Sequence, residues 1–286
     1  MRRFEFIKAE STCYSVSDLC RVLQVSRSGY YEWLDDKPSK RAEENAKLSI
    51  EIASVFDANR GVYGRRRIAM AINKAKDQPI SINRVARRMG DLKIAGYTPP
   101  SLKITTIPDI LLKDSPNLVQ RTTVSRPNQI WVSDITYIAT REGWLYLCTI
   151  IDLFSRKVVG WSTRSDMKID IVLEAIDKAY RIRRPDGGIV FHSDKGGQYK
   201  AKKFRRRLQR RGFKQSMTGV DHCYDNAVAE SFFGTLKTEL IRGKVYESRE
   251  QAEAAIFEYI EVFYNRTRLH SSLGYHSPEQ YERNIA

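Results

Sequence analysis

The spacing of apolar residues changes period part-way along the chain, and this change limits the possible folds more than any other feature. Up to about residue 95 apolar positions repeat at three and four: Leu48, Ile52, Val55 and Phe56 make one stripe, and Ile68, Ala71 and Ile72 another. That period predicts helices over 16–23, 27–34, 42–57, 65–76 and 82–92. The first two are separated only by Gln24-Val25-Ser26 and have the outline of a helix-turn-helix. A turn at 60–64 precedes the fourth, and Ser81 is placed to cap the fifth. Beyond residue 128 the period becomes two. Strands are expected over 130–139, 144–151 and 157–163, with connections short enough for antiparallel hairpins. A helix over 169–183, a buried strand over 188–192, a basic helix over 201–211, a strand over 213–216 and two helices over 226–241 and 249–264 follow. Between the halves, residues 95–128 hold Pro99, Pro100, Pro108, Pro116 and Pro127, five of the nine prolines. Proline fixes φ and lacks a backbone donor, so regular structure is not expected there.

The expected organisation is therefore a short helix-turn-helix-like segment (1–40), a basic helical DNA-binding domain (41–95), a proline-containing linker (96–126) and an α/β domain with C-terminal helices (127–286). On this division residues 1–95 should bind DNA alone and residues 120–286 should fold alone.

Lys and Arg number 49 against 34 Asp and Glu, a net charge of +15. Residues 1–120 carry +7 and residues 121–286 carry +8, so the excess is not a basic tail. Both halves suit a polyanion, with nucleic acid the foremost candidate. Four cysteines without a C-x2-C pair point to reduced thiols and a cytoplasmic protein. The longest apolar stretch, 144–151, is far short of a membrane span. No signal peptide, P-loop, H-E-x-x-H or G-x-S-x-G is present, which disfavours secretion, P-loop ATPases, zincins and serine hydrolases.

Three carboxylates occupy positions with chemical meaning. Asp134 sits inside the first expected strand, with Val132 and Thr136 on its face. A carboxylate there is costly unless it is paired or binds a cation. Asp194 follows the apolar run 188–192 and precedes Lys195-Gly196-Gly197, where a buried strand would emerge. Glu230 lies on the next-to-last helix and shares a face with Asn226 and Lys237. Each also has a structural reading: a buried hydrogen-bonded carboxylate, a turn cap and a surface ion pair. Asp152 reads as a turn former. Asp194 and Glu230 leave 35 residues between them, but with 34 acidic residues in 286 such a gap arises by chance.

Basic residues cluster in three places. Arg84, Arg87 and Arg88 share one face of the helix over 82–92, and Arg65, Arg66 and Arg67 precede it in sequence. A basic face beside an apolar one suits a helix docking on DNA. Residues 200–214 hold nine basic residues and no acid. Lys202, Lys203, Arg205, Arg206 and Arg210 of this run are candidate phosphate contacts, as is Lys237 beside Glu230. His192, two residues before Asp194, is either a neighbour of the site or a packed core histidine. The histidines lack zinc-ligand spacing with the cysteines.

Longer motifs surround these residues: Tyr63-Gly64-Arg65-Arg66-Arg67-Ile68, Pro127-Asn128-Gln129-Ile130-Trp131, Asp152-Leu153-Phe154-Ser155-Arg156-Lys157, Phe191 to Tyr199, Asp225 to Lys237 and Tyr264-Asn265-Arg266-Thr267-Arg268-Leu269-His270-Ser271-Ser272-Leu273-Gly274-Tyr275. On these the chain closely resembles the second-frame (OrfB) transposase of the IS3 family of bacterial insertion sequences over nearly its whole length. The resemblance implies a ribonuclease-H-like (integrase) α/β core behind an all-α helix-turn-helix region, which matches the expected element order. It implies a DDE triad of Asp134, Asp194 and Glu230 holding Mg2+ or Mn2+, two ions per site, to nick the ends of the element and join the freed 3′-OH to DNA. It implies positioning roles for Asn226, Asn265 and His270. Its implied partners are terminal inverted repeats, target DNA, the upstream-frame OrfA product, commonly as a frameshift fusion, and further copies of the chain on DNA. The location would be the bacterial cytoplasm, at the nucleoid. The zinc-binding and β-barrel modules of retroviral integrases are not expected. A non-catalytic DNA-binding regulator and a purely hydrolytic nuclease remain alternatives.

Overall fold

The computed structural model describes residues 2–35, 39–97, 115–119, 122–219 and 226–285. Most of the expected linker, including Pro99, Pro100 and Pro108, lies outside the described residues, as do Pro38, His222 and Cys223.

Six helices come first: α1 (Arg2–Glu10), α2 (Val16–Val22), α3 (Arg27–Leu34), α4 (Lys40–Ala58), α5 (Arg65–Asn73) and α6 (Ile82–Asp91). Hydroxyl caps start several of them. Ser26, Ser39 and Ser81 each accept from the backbone N–H three residues on. Helices α1–α3 gather round their own small core of Ile7, Cys20 and Tyr30. α1 is not visible in the apolar spacing because its first turns offer only Phe4, Phe6 and Ile7.

A five-stranded sheet follows, built from β1 (Ile130–Thr140), β2 (Gly143–Asp152), β3 (Val158–Arg164), β4 (Val190–Ser193) and β5 (Lys214–Met217), in the order β3-β2-β1-β4-β5. β1, β2 and β3 pair antiparallel through the two expected hairpins. β4 and β5 join parallel to β1. Parallel neighbours need crossovers, and these are α7 (Ile169–Arg183) before β4, then α8 (Gly197–Lys200) and α9 (Lys202–Arg210) before β5. This is the ribonuclease-H-like arrangement. Residues 115–119 run beside β5, where Leu118 N–H donates to Ser216 Oγ at 2.9 Å and so covers part of the sheet edge.

Alternation along β1 sorts side chains between two layers. Trp131, Cys148 and Ile150 pack with α7 and α9, while Val132, Ile138 and Leu147 pack on the other face. That second face is covered by α10 (Ala227–Leu236) and α11 (Arg249–Phe257), which continue as π-helical turns at Lys237–Ile241 and Glu258–Tyr264; α12 (Pro278–Arg283) closes the chain. Gly160 lets β3 meet α7. A Cβ there would stand 2.6 Å from Ala175 O and 2.7 Å from Ala179 Cβ.

The expected separation at the linker is not a break in the core. Leu48, Ile52, Ile68, Ile72, Val85 and Met89 of α4–α6 belong to the same apolar cluster as Val132 and Phe232. Polar contacts reinforce this docking: Leu269 N–H donates to the Tyr63 hydroxyl at 2.8 Å and Arg242 donates to Arg60 O at 2.7 Å. Arg268 clasps Glu239 through Nε and Nη2 at 2.8 and 2.7 Å, Tyr259 donates to the same carboxylate at 2.9 Å, and Arg67 stands 3.7 Å from it.

Candidate active site and nucleic-acid interface

β1 and β4 end at different places, and that offset makes the site. Their parallel register pairs Val132 with His192 and Ser133 with Ser193. One step further, β4 has ended, while β1 continues against β2 with Asp134 opposite Thr149. Asp134 therefore stands where β1 loses its β4 neighbour, and Asp194 is the first residue beyond β4. Asp134 accepts from Ile135 N–H at 2.7 Å. Asp194 accepts from Gly196 N–H at 3.0 Å, inside the Lys195-Gly196-Gly197 turn.

Both carboxyls are held above the ordinary carboxylate range. Burial raises Asp134 most, the Asp194 charge adds to it, and Glu230 contributes a further, smaller push, so that Asp134 reaches about 7. Asp194 is raised by burial and partly rescued by the Gly196 N–H and the Lys200 charge. Lys237 acts in the opposite sense on Asp134, which places its ammonium on the site side of α10, over the Tyr137 ring at 5.4 Å. Glu230 is exposed on α10. The sheet thus brings Asp134 and Asp194 together and leaves Glu230 within electrostatic reach. Among the described residues, no three His, Cys, Asp or Glu side chains stand close enough to ligate one ion.

The donor chemistry fits a hard divalent cation. The site offers carboxylate oxygens, and the Thr149 hydroxyl opposite Asp134 is buried without a hydrogen-bond partner among the described residues. Asn226 is also buried, and its Oδ1 has no partner among them.

Other candidate residues divide into structural and solvent-facing groups. His192 is buried, with Nδ1 2.8 Å from Ser216 Oγ, so it links β4 to β5. Asn265 clamps β3: Val158 N–H donates to its Oδ1 at 2.9 Å, and its Nδ2 donates to Val158 O at 3.0 Å. His270 is buried edge-on to Tyr264. Burial, then the charges of Arg268, Arg67 and Arg156, push it down to about 3. Asp152 is a turn former as expected, accepting from Phe154 and Ser155 N–H at 3.0 and 3.2 Å, and it also anchors Asn128 N–H at 2.6 Å.

The basic run on α9 is two-sided. Lys203, Arg207 and Arg211, at i, i+4 and i+8, reach back to Asp170 and Asp177 of α7. Lys202, Arg206 and Arg210 are exposed and have no ion-pair partner among the described residues, while Arg205 is half-buried. On α6, Arg84 bonds Asn45 and Glu44 at 3.0 Å, Arg88 meets Asp91 at 2.7 Å and Arg87 is exposed. These three arginines line a cleft of about 190 Å³ with Arg41 and Asn45 of α4. Arg65 and Arg66 are exposed at the start of α5, while Arg67 is half-buried over the Tyr63 ring. Asn45 is not visible in sequence as a site residue because its partner, Arg84, is 39 positions away.

The chain matches the integrase core domain family over residues 124–223, a second integrase core family over 230–285 and an HTH-like domain family over 42–100. The last covers α4–α6, not the 16–34 pair whose spacing has the helix-turn-helix outline. The transposase InsF for insertion sequence IS3A of Escherichia coli (strain K12) is 37% identical over 293 residues, covering 99% of this chain and all of that protein. The chain belongs to the IS3 family of insertion-sequence transposases. An uncharacterized 31 kDa protein of insertion element IS600 from Shigella sonnei is 39% identical over 91% of this chain and 96% of its own. The HTLV-2 integrase catalytic core domain in complex with magnesium (dimeric form) overlays 55% of this chain and 97% of its own, at a TM-score of 0.45 and 18% identity. Family membership follows from the sequence relatives alone. The chain is accordingly an enzyme of the polynucleotidyl transferase class, with an integrase core and an HTH-like region. Among the described residues no helix is long and apolar enough to cross a membrane.

Proposed function

We propose that the protein cuts DNA at the ends of its own insertion sequence and joins the freed ends to target DNA, using Asp134, Asp194 and Glu230 as a metal-binding triad. The observation that carries this reading is the meeting of Asp134 and Asp194 at the β1/β4 offset, with both carboxyls raised by burial. Such a pair is costly alone and becomes favourable around a cation. Two Mg2+ or Mn2+ ions bound there would stabilise the attacking and leaving oxygens of an in-line displacement. Asp134 and Asp194 hold one side of the site, and Glu230 completes it from α10. Lys237, on the same side of α10, steadies a phosphate oxygen. In the first reaction water attacks the phosphorus, the P–O3′ bond breaks and a 3′-OH is released. In the second that 3′-OH attacks a phosphodiester of the target strand, the target's P–O3′ bond breaks and a target 3′-OH leaves, so this step conserves the number of phosphodiester bonds and no ATP is consumed.

DNA engages α6, the exposed side of α9 and α5. The upstream-frame product, as a fusion, and further copies of the chain complete the assembly on the element's ends, in the cytoplasm at the nucleoid. A regulatory reading without catalysis draws on one observation, the exposed and separate placement of Glu230. The deciding experiment supplies labelled element ends and Mg2+. Joined product is expected; nicked product without joining indicates a hydrolytic nuclease, and bound but intact DNA indicates a regulator.

A further inference from the structure

A second cationic cleft lies on a different face of α10 from Glu230. Its volume is about 390 Å³, roomy enough for a phosphodiester and its sugar. Ser231 and Thr235 of α10 and Ser271 and Ser272 line it, together with three arginines, Arg67, Arg156 and Arg268, from three parts of the chain. Two carboxylates bear on these arginines: Glu239 is clasped by Arg268 with Arg67 beside it, and Asp152 acts electrostatically on Arg156 without an ion pair to it. Arg156 is half-buried, and its guanidinium makes no hydrogen bond or ion pair among the described residues. Asp152 also faces Arg183 at 3.9 Å, so the three arginines of the cleft remain in net positive excess. The same excess bears on His270, whose imidazole is disfavoured as a cation by all three arginines, and on Arg67, whose charge is opposed by burial and by Arg268. A half-buried guanidinium with no hydrogen-bonded anion is costly. Hydroxyls at the rim and guanidiniums within are the donor set that binds phosphate oxygens.

We infer that this cleft is a subsite for a backbone phosphate of the bound DNA other than the scissile one, held by Arg156 and Arg67 with Ser231, Ser271 and Ser272. The inference rests on the DNA-processing reading above. α10 would then have DNA on two sides, its Glu230 face toward the reacting phosphate and its Ser231 face toward a flanking one. Arg156 comes from the β2–β3 hairpin and Arg67 from α5, so one phosphate would bridge the integrase core to the helical region.

The test uses the full chain with Arg156→Gln and Arg156→Lys, which leave the triad and the Glu239–Arg268 pair intact. The side chain is replaced at the same backbone position (φ 61°) in both, so any backbone cost is similar and Arg156→Lys controls for folding. Binding to duplex carrying the element's end is titrated with salt. Loss of one phosphate contact should flatten the log K against log[salt] slope by about 0.9. Arg156→Gln should show that change and Arg156→Lys should retain most of the wild-type slope. Ser272→Glu, a carboxylate at the rim, should weaken binding further. If wild type binds DNA and all three variants give parallel lines at equal affinity, the subsite is wrong while the DNA reading stands. If wild type itself does not bind, the DNA reading fails and the subsite with it. A parallel arm adds inorganic phosphate and follows thermal unfolding. Protection that Arg156→Gln abolishes, together with an unchanged DNA slope, would assign the cleft to a free anion and overturn the inference.

Discussion

At the scale of single residues, Asp134 and Asp194 carry carboxyl groups whose environment opposes their charge. Asp134 ionises near 3.8 in an exposed setting and near 7 in the fold. Between those values the folded chain keeps a proton that the unfolded chain releases, so without metal stability falls as pH rises through that window. The full penalty is present above about pH 7 and absent below about pH 4. Asp134→Asn removes it. The variant should melt higher than metal-free wild type at pH 8, and the difference should close as pH falls toward 4. Mg2+ at pH 8 should raise the melting temperature of wild type and leave the variant unmoved. Equal melting of the two proteins at pH 8 and pH 4 would show that Asp134 is not desolvated. Asp134 and Asp194 were legible in sequence because each interrupts or ends an apolar run. The roles of Asn265 and Arg268 were not, because their partners, Val158 and Glu239, are 107 and 29 positions away.

At the scale of elements, the sequence revealed the order of strands and helices but not their pairing. Period two at 130–163 specifies strands, and short turns specify hairpins. Nothing local specifies that β4 enters beside β1 and stops one residue short of Asp134. The basic helix shows the same limit. Its composition gives a high density of charge, while only the fold shows that Lys203, Arg207 and Arg211 are engaged by α7. Two triple variants separate the two faces. Lys202, Arg206 and Arg210 changed to Gln should leave stability within about 0.5 kcal/mol, as usual for surface changes. The same variant should flatten the salt dependence of DNA binding by roughly one to three units, at about 0.9 per phosphate contact. Lys203, Arg207 and Arg211 changed to Gln should lower stability in urea, because contacts between α9 and α7 are lost, with a smaller effect on the salt slope. The reverse pattern, measured by urea melts and salt titrations of both variants, would mean that α9 presents its other side to DNA.

At the scale of the whole molecule, charge and apolar period separate a helical part from an α/β part, but the core joins them. Leu48, Ile68 and Val85 share a cluster with β1 and α10, whereas α1–α3 hold a cluster of their own. Deleting residues 1–35 should therefore leave the main melting transition nearly unchanged. A fragment beginning at residue 120 should melt lower than the intact chain, because it exposes the apolar surface on which α4–α6 pack. An unchanged transition in that fragment would show that the shared core contributes little. On the proposed reading, the shared core would hold DNA contacts on α6 at a set distance from the carboxylates. The central claim is that Asp134, Asp194 and Glu230 act together in DNA cleavage and joining. The most direct measurement compares wild type with Asp134→Asn, Asp194→Asn and Glu230→Gln for strand transfer of labelled element ends in Mg2+, alongside DNA binding by the same preparations. Each substitution removes a ligand charge at nearly constant shape. The account predicts unchanged binding with cleavage and joining lost in all three. Retention of more than about a tenth of wild-type activity, a loss under ~1.4 kcal/mol, by any one of them would contradict its place in the triad.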